Sequence, residues 1–138
     1  MVSTTFSSGF GADPISSSGT PSVGFLSVSP TVTITSGQKI IVDASKALGS
    51  VAAGGASGLN LWVCYQSTAA GSSIVAIGGG ILGLQVPQNT RITFAINGVI
   101  TGLAAGSYQV GMCGQASAAQ VANWKYNEYS YVTAIVTN

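Results

Sequence analysis

Apolar and polar residues alternate with a period of two along most of this chain, and a period near three and a half is almost absent. That pattern predicts strands, because successive strand side chains point to opposite faces of a sheet. A Ser-, Gly- and Pro-rich opening runs through about Thr20, and after it SVGFLSVSPTVTIT and QKIIVDA are β-branched runs separated by Ser36–Gly37, which reads as a hairpin turn. KALGSVAAGGASG, residues 46 to 58, reads as a small-residue loop. LNLWVCYQ, SIVAIGGGILGLQV, TRITFAINGVITGL, GSYQVGMCG and EYSYVTAIVT follow as strands, broken by glycines, Pro87 and Asn97–Gly98. Asn-Gly fits a tight type I′ turn, and a bulged excursion fits equally well. The interior glycines at 78 to 80 mark a bulge or a close backbone approach; a phosphate cradle would need a lysine and a following helix.

About seven to ten short strands in one small unit must close on each other, since a single open sheet leaves an apolar face in water. The expected fold is all-β, a sandwich of jelly-roll topology. With 138 residues the chain is the size of one domain. Residues 1–20 are expected as a flexible N-terminal arm and 21–138 as a single jelly-roll domain.

Charged residues make up only 5% of the chain, against roughly 25% in ordinary soluble proteins. Lys39, Lys46, Arg91 and Lys125 are scattered, so the basic stripe that binds nucleic acid is missing. No stretch approaches the roughly 20 apolar residues of a spanning helix, and membrane insertion is not expected. MVSTTFSSGFGADP lacks the basic and apolar regions of a signal peptide, which leaves open an intracellular place, release by lysis or another route, or a signal already removed, and with these an extracellular place or a cell or virion surface. Cys64 in LWVCYQ and Cys113 in VGMCGQ sit in apolar strand contexts. Two buried thiols are the preferred reading, and a disulfide between the two strands is the alternative.

Histidine is absent, which removes the commonest general base. Asp13, Asp43 and Glu128 lie in different segments, and neither cysteine has a neighbour that would favour thiolate. The expectation is a protein that is not an enzyme, with no cofactor and no metal.

What remains is NWKYNEYSYVTAIVTN, residues 123 to 138. Alternation from Glu128 puts Tyr129, Tyr131, Thr133, Ile135 and Thr137 on one face and Ser130, Val132, Ala134 and Val136 on the other. The second face suits a sandwich interior. The first is too apolar to leave wet, and makes Tyr129, Tyr131 and Ile135 candidates for an oligomer interface. Before that strand, Trp124 and Tyr126 stand among Asn123, Lys125 and Asn127. Rings that stack on sugar C–H faces beside amides that bind hydroxyls suit a shallow ligand site. The plainer reading is that Trp124 plugs the end of the sandwich.

LNLWVCYQ, a Gly-rich strand, VPQNTRITFAI, LAAGSYQVGMCG and a Tyr-containing last strand ending in TAIV together resemble the TNF-like or C1q-like trimeric jelly rolls, over roughly the last 80 residues. Within that class the chain looks most like the TNF-like domain of bacterial fucose-binding lectins. The resemblance implies a homotrimer with sugar sites between subunits. It places Trp62 at the family's aromatic position and Asn89, Thr90 and Arg91 at its hydroxyl pair and first arginine. Met112 and Leu82 stand where the family has a second arginine and a further hydroxyl.

Two functions follow. The first is a homotrimeric, non-catalytic glycan-binding protein using Trp62, Asn89, Thr90, Arg91, Trp124 and Tyr126. The alternative is a structural head, decoration or shell subunit of a phage, spore or cell appendage, built for self-association.

Overall fold

A computed structural model describes residues 2–138. Among these residues nine strands form two antiparallel sheets: β1 Ser3–Gly9, β2 Gly24–Phe25, β3 Thr31–Ile34, β4 Lys39–Ser50, β5 Ala56–Ser67, β6 Val75–Val86, β7 Thr90–Ile100, β8 Gly106–Ala116 and β9 Ser130–Thr137. One sheet has the order β1-β9-β4-β7 and the other β2-β8-β5-β6, with β3 also against β8. This interleaving of early and late strands, with most connections crossing from one sheet to the other, is jelly-roll topology, as the alternation predicts.

The core between the sheets follows the period of two. From β4 come Ile40, Val42, Ala44 and Leu48, from β5 Leu59, Leu61 and Val63, from β8 Val110 and Met112, and from β9 Val132, Ala134 and Val136. The two faces expected of β9 are observed, with Ser130, Val132, Ala134 and Val136 fully buried.

Four local expectations are corrected. Residues 1–20 contain a strand: β1 pairs with β9 over seven residues, and Ala116 then takes Ser16 as a bridge partner. An arm was expected because Ser3–Gly9 offers the core no large apolar side chain; backbone pairing with β9 holds it instead. The Ser36–Gly37 turn does not close a hairpin, because β3 pairs with β8 and β4 with β7 and β9. It carries the chain between sheets, with Gly37 at φ 85°. β4 runs to Ser50, so the expected loop at 46–58 shrinks to 51–55. Asn97–Gly98 is no turn: Gly98 pairs with Val42 inside β7, and a Cβ on it would lie 3.2 Å from Ile77 Cδ1.

Between Leu61↔Ile81 and Val63↔Ile77, β6 bulges through Gly78–Gly80. The cause is Trp62. A Cβ on Gly80 would lie 2.4 Å from the indole Nε1, so only glycine lets the ring pack on this backbone.

Cys64 and Cys113 lie on adjacent strands β5 and β8, fully buried, with Cα atoms 5.7 Å apart, and they form a disulfide. Burial was expected, but free thiols were the preferred reading. The register that sets Trp62 opposite Cys113 and Cys64 opposite Gly111 makes the two cysteines diagonal neighbours, which no sequence spacing reveals.

Candidate functional site

The six residues expected to bind ligand do not form one site: Arg91 meets Tyr126, but Trp62 lies on the other sheet and Trp124 is buried. Trp62 projects from the outer face of the β2-β8-β5-β6 sheet, since Leu61 and Val63 beside it point inward. Arg91, opposite Gly49, lies on the outer side of the other sheet. Met112 is wholly buried and cannot stand in for a second sugar-binding arginine, while Leu82 is exposed.

Trp124 is fully buried: its Nε1–H donates to Ser57 O at 3.0 Å, and its ring meets Phe94 edge-on with centroids 6.5 Å apart. It plugs the end of the sandwich and offers a ligand no surface, because an indole brings more apolar area to the core than a loop can leave in water. The polar residues around it are also occupied. Asn127, buried, accepts from Gly49 N–H at 3.0 Å and donates Nδ2–H to Asp13 Oδ1 at 2.7 Å and Trp124 O at 2.9 Å. Lys125 Nζ completes the cluster at 3.2 Å from Asp13. Beside it, backbone N–H groups of Tyr126 and Glu128 donate to Gly49 O at 3.2 Å and Ala47 O at 3.0 Å, continuing the β9–β4 pairing before Ser130.

Arg91 makes three contacts within the chain. Its Nε–H donates to Tyr126 O at 3.2 Å, its guanidinium lies 3.7 Å from the centre of the Tyr126 ring, and Glu128 is 3.5 Å away. A planar guanidinium stacked on a ring and aimed at a carbonyl is pre-organised, which suits it to pinning the 126–128 corner. Asn89 has φ 56°, turning the chain into β7, and the Thr90 hydroxyl donates to Gln88 O at 3.1 Å.

The three expected interface residues do come together. On the outer face of β1-β9-β4-β7, rows across the sheet read Thr4, Ile135, Ile41, Val99, then Phe6, Thr133, Asp43, Asn97, then Ser8, Tyr131, Ser45, Ala95. Phe6, Val99, Tyr129 and Tyr131 are each more than half exposed, at 64, 52, 54 and 51%, and Ile41 is 38% exposed. The Phe6 and Tyr131 rings stack with centroids 6.4 Å apart. Asp43 is the one charged side chain in the middle of these rows among the described residues. Phe6 and Val99 were not foreseen; the alternation marks both as outward-facing, but only the strand order places them beside the tyrosines. Ser45, Thr93, Glu128, Tyr129 and Tyr131 also line a shallow depression of about 210 Å³ on this face.

Lys46 was missed altogether. It lies on the inner face of β4, 1% exposed, and its ammonium donates to the carbonyls of Phe10, Ala12 (2.9 Å) and Leu26 (3.0 Å), 4.2 Å from the centre of the Phe10 ring. Burial pushes its pKa down from 10.5 to about 8, against the opposing pull of Asp13. With its acceptors all supplied by the chain, Lys46 is a clip that holds residues 10–12 and 26 to the end of the sandwich.

Among the described residues no group of three or more His, Cys, Asp or Glu could hold a metal ion, and no helix is long and apolar enough to cross a membrane. No protein-family model and no curated protein matches the chain. Among solved structures it is similar to a chain in "Structure of infectious bursal disease virus Gx strain", at 12% identity and a TM-score of 0.49. The match covers 96% of this chain and 32% of that one, so the present chain spans about a third of that protein's length.

Proposed function

We propose that this protein is a non-catalytic structural subunit that self-associates into a shell, head or surface appendage. The observation that carries this reading is the outer face of β1-β9-β4-β7, where Phe6, Ile41, Val99, Tyr129 and Tyr131 stand exposed around one carboxylate. Four strands about 4.8 Å apart and roughly 8 residues long span on the order of 500 Å² before side-chain relief, roughly two thirds of the ~800 Å² per partner of a standard interface. Tyrosines suit such a seam, since a covered ring buries its body while its hydroxyl finds a partner. The chain's few charges also fit, because a subunit that meets copies of itself on several sides gains little from a solvated surface.

The test is the mass in solution of the wild type and of Phe6→Asp/Tyr131→Asp, with circular dichroism as the check on folding. Both residues are exposed, so the fold should survive while association is lost. A wild type that stays monomeric at high concentration, or a double variant that assembles normally, sinks the reading.

Glycan binding remains the second reading, now favoured by the depression between Tyr129, Tyr131 and Glu128 instead of the dispersed Trp62, Arg91 and Trp124 set. A glycan array on the same sample separates the two, since saturable binding lost on Tyr129→Ala would support a lectin.

A further inference from the structure

Edge strands carry unpaired backbone donors and acceptors, and proteins blunt them with lysine, proline or bulges. β6, one edge of its sheet, is blunted: Gly78, Gly80 and Gly83 have φ of 73, 76 and 70°, and its register against β5 shifts repeatedly; the other edge is made of the short strands β2 and β3. β7 is not. It is an eleven-residue strand paired in unbroken register with β4 alone, with no proline, no positive φ and one charge, Arg91, at its start. β1 is also a free edge, but it is shorter, and Thr5 and Ser7 occupy its inward positions.

The side of the sandwich next to β7 is apolar as well. Ile81, Leu82 and Ile92 are 40, 61 and 38% exposed, and a cleft of about 440 Å³ opens between β6 and β7 as far as Val63. We infer that β7 pairs antiparallel with β7 of a second copy about a twofold axis, joining two four-stranded sheets into one of eight strands and closing the two side clefts against each other. This rests on the self-association reading and names the edge through which it begins.

The sequence of β7 suits its own reverse. Residues opposite one another in an antiparallel ladder share a face, so a twofold axis must set one residue against itself. Full overlap of Thr90–Ile100 makes that residue Ala95, the middle of the strand. Phe94 then faces Ile96 twice on the inner side, an aromatic and β-branched pairing that stabilises ladders. Each Arg91 lies opposite Val99, so the two like charges stand at opposite ends. The eight-stranded sheet also carries the tyrosine-lined outer face unbroken across both copies, leaving it free for further contacts. An isologous contact of this kind closes on itself, so growth beyond a dimer would use that face.

The experiment combines sedimentation of the wild type and Ile92→Lys with thiol cross-linking of Ala95→Cys, using Thr31→Cys, exposed on β3 of the other sheet, as the control. The native cysteines are tied to each other and leave the background clear. Ile92 is partly exposed, so a lysine there can reach water while placing a charge at the new seam. The expected result is a rise of about tenfold or more in the dissociation constant for Ile92→Lys. Ala95→Cys should form covalent dimers, since opposed Cβ atoms lie about 4.5–5.5 Å apart, and Thr31→Cys should not. An associating wild type whose Ala95→Cys form stays uncross-linked, or whose Ile92→Lys form associates as before, overturns β7 pairing and leaves self-association standing. A wild type that never associates overturns both.

Discussion

At the scale of single residues, Lys46 shows what alternation hides. Ile40, Val42, Ala44 and Leu48 keep a period of two, and a lysine in their register looks like the end of the strand. Its long stem instead runs through the interior and delivers the ammonium to three carbonyls at the sandwich end. The cost of that burial has a definite sign. Free in the unfolded chain the group titrates near 10.5, and in the folded protein, desolvated, at about 8. Below about 8 both states are protonated and the folded state carries the full penalty; between the two values only the folded state sheds its proton, so stability rises with pH. Each pH unit inside that window is worth at most about 1.4 kcal/mol. The stability of wild type relative to Lys46→Met, from urea midpoints, should therefore rise with pH across the window, and a constant difference would show that Lys46 titrates normally. The aromatic stretch was legible in the same partial way. Residue types at 124 to 131 announced something beyond a plain strand, but Trp124 turns into the core and Tyr126 lies under Arg91, directions fixed by tertiary contacts.

Elements were legible where one strand's own pattern decides and illegible where pairing decides. The two faces of β9 could be read from eight residues. Whether β3 and β4 form a hairpin could not, because a Ser-Gly turn serves a paired hairpin and a crossing between sheets alike. Asn97–Gly98 failed for a related reason: the glycine answers to Ile77 and Val63 packed against it, not to a turn. The glycine run in β6 was read correctly as a bulge or close approach, and its members should separate on substitution. Gly80 combines φ 76° with a Cβ position 2.4 Å from the Trp62 indole, whereas a Cβ on Gly79 meets nothing within 4 Å. Gly80→Ala should cost about 1–3 kcal/mol, with a changed near-ultraviolet signal from Trp62. Gly79→Ala should stay within about 0.5 kcal/mol of wild type. Equal effects at the two positions would mean that the bulge is not shaped by the tryptophan.

For the whole molecule, the distribution of charge decides what kind of association is available. Arg91 is matched to Glu128 and Lys125 to Asp13 within the chain, and Lys46 is sealed in the sandwich. Lys39 and Asp43 are left on the outer face of β1-β9-β4-β7, and both belong to the same strand. Two copies meeting over that face have at most two reciprocal Lys39–Asp43 pairs to form, and exposed pairs are worth little, so most of their attraction would come from apolar area and tyrosine contacts. Raising NaCl from about 0.05 M to about 1 M shortens the Debye length from roughly 14 Å to about 3 Å, which removes most attraction between exposed charges and leaves apolar burial intact. Sulfate, excluded from protein surface, strengthens burial further. The assembly should accordingly keep its mass through the NaCl series and grow or tighten in sulfate. Dissociation at about 1 M NaCl would place the attraction in ion pairs, and the face of Phe6, Tyr129 and Tyr131 would then lose its role as the seam.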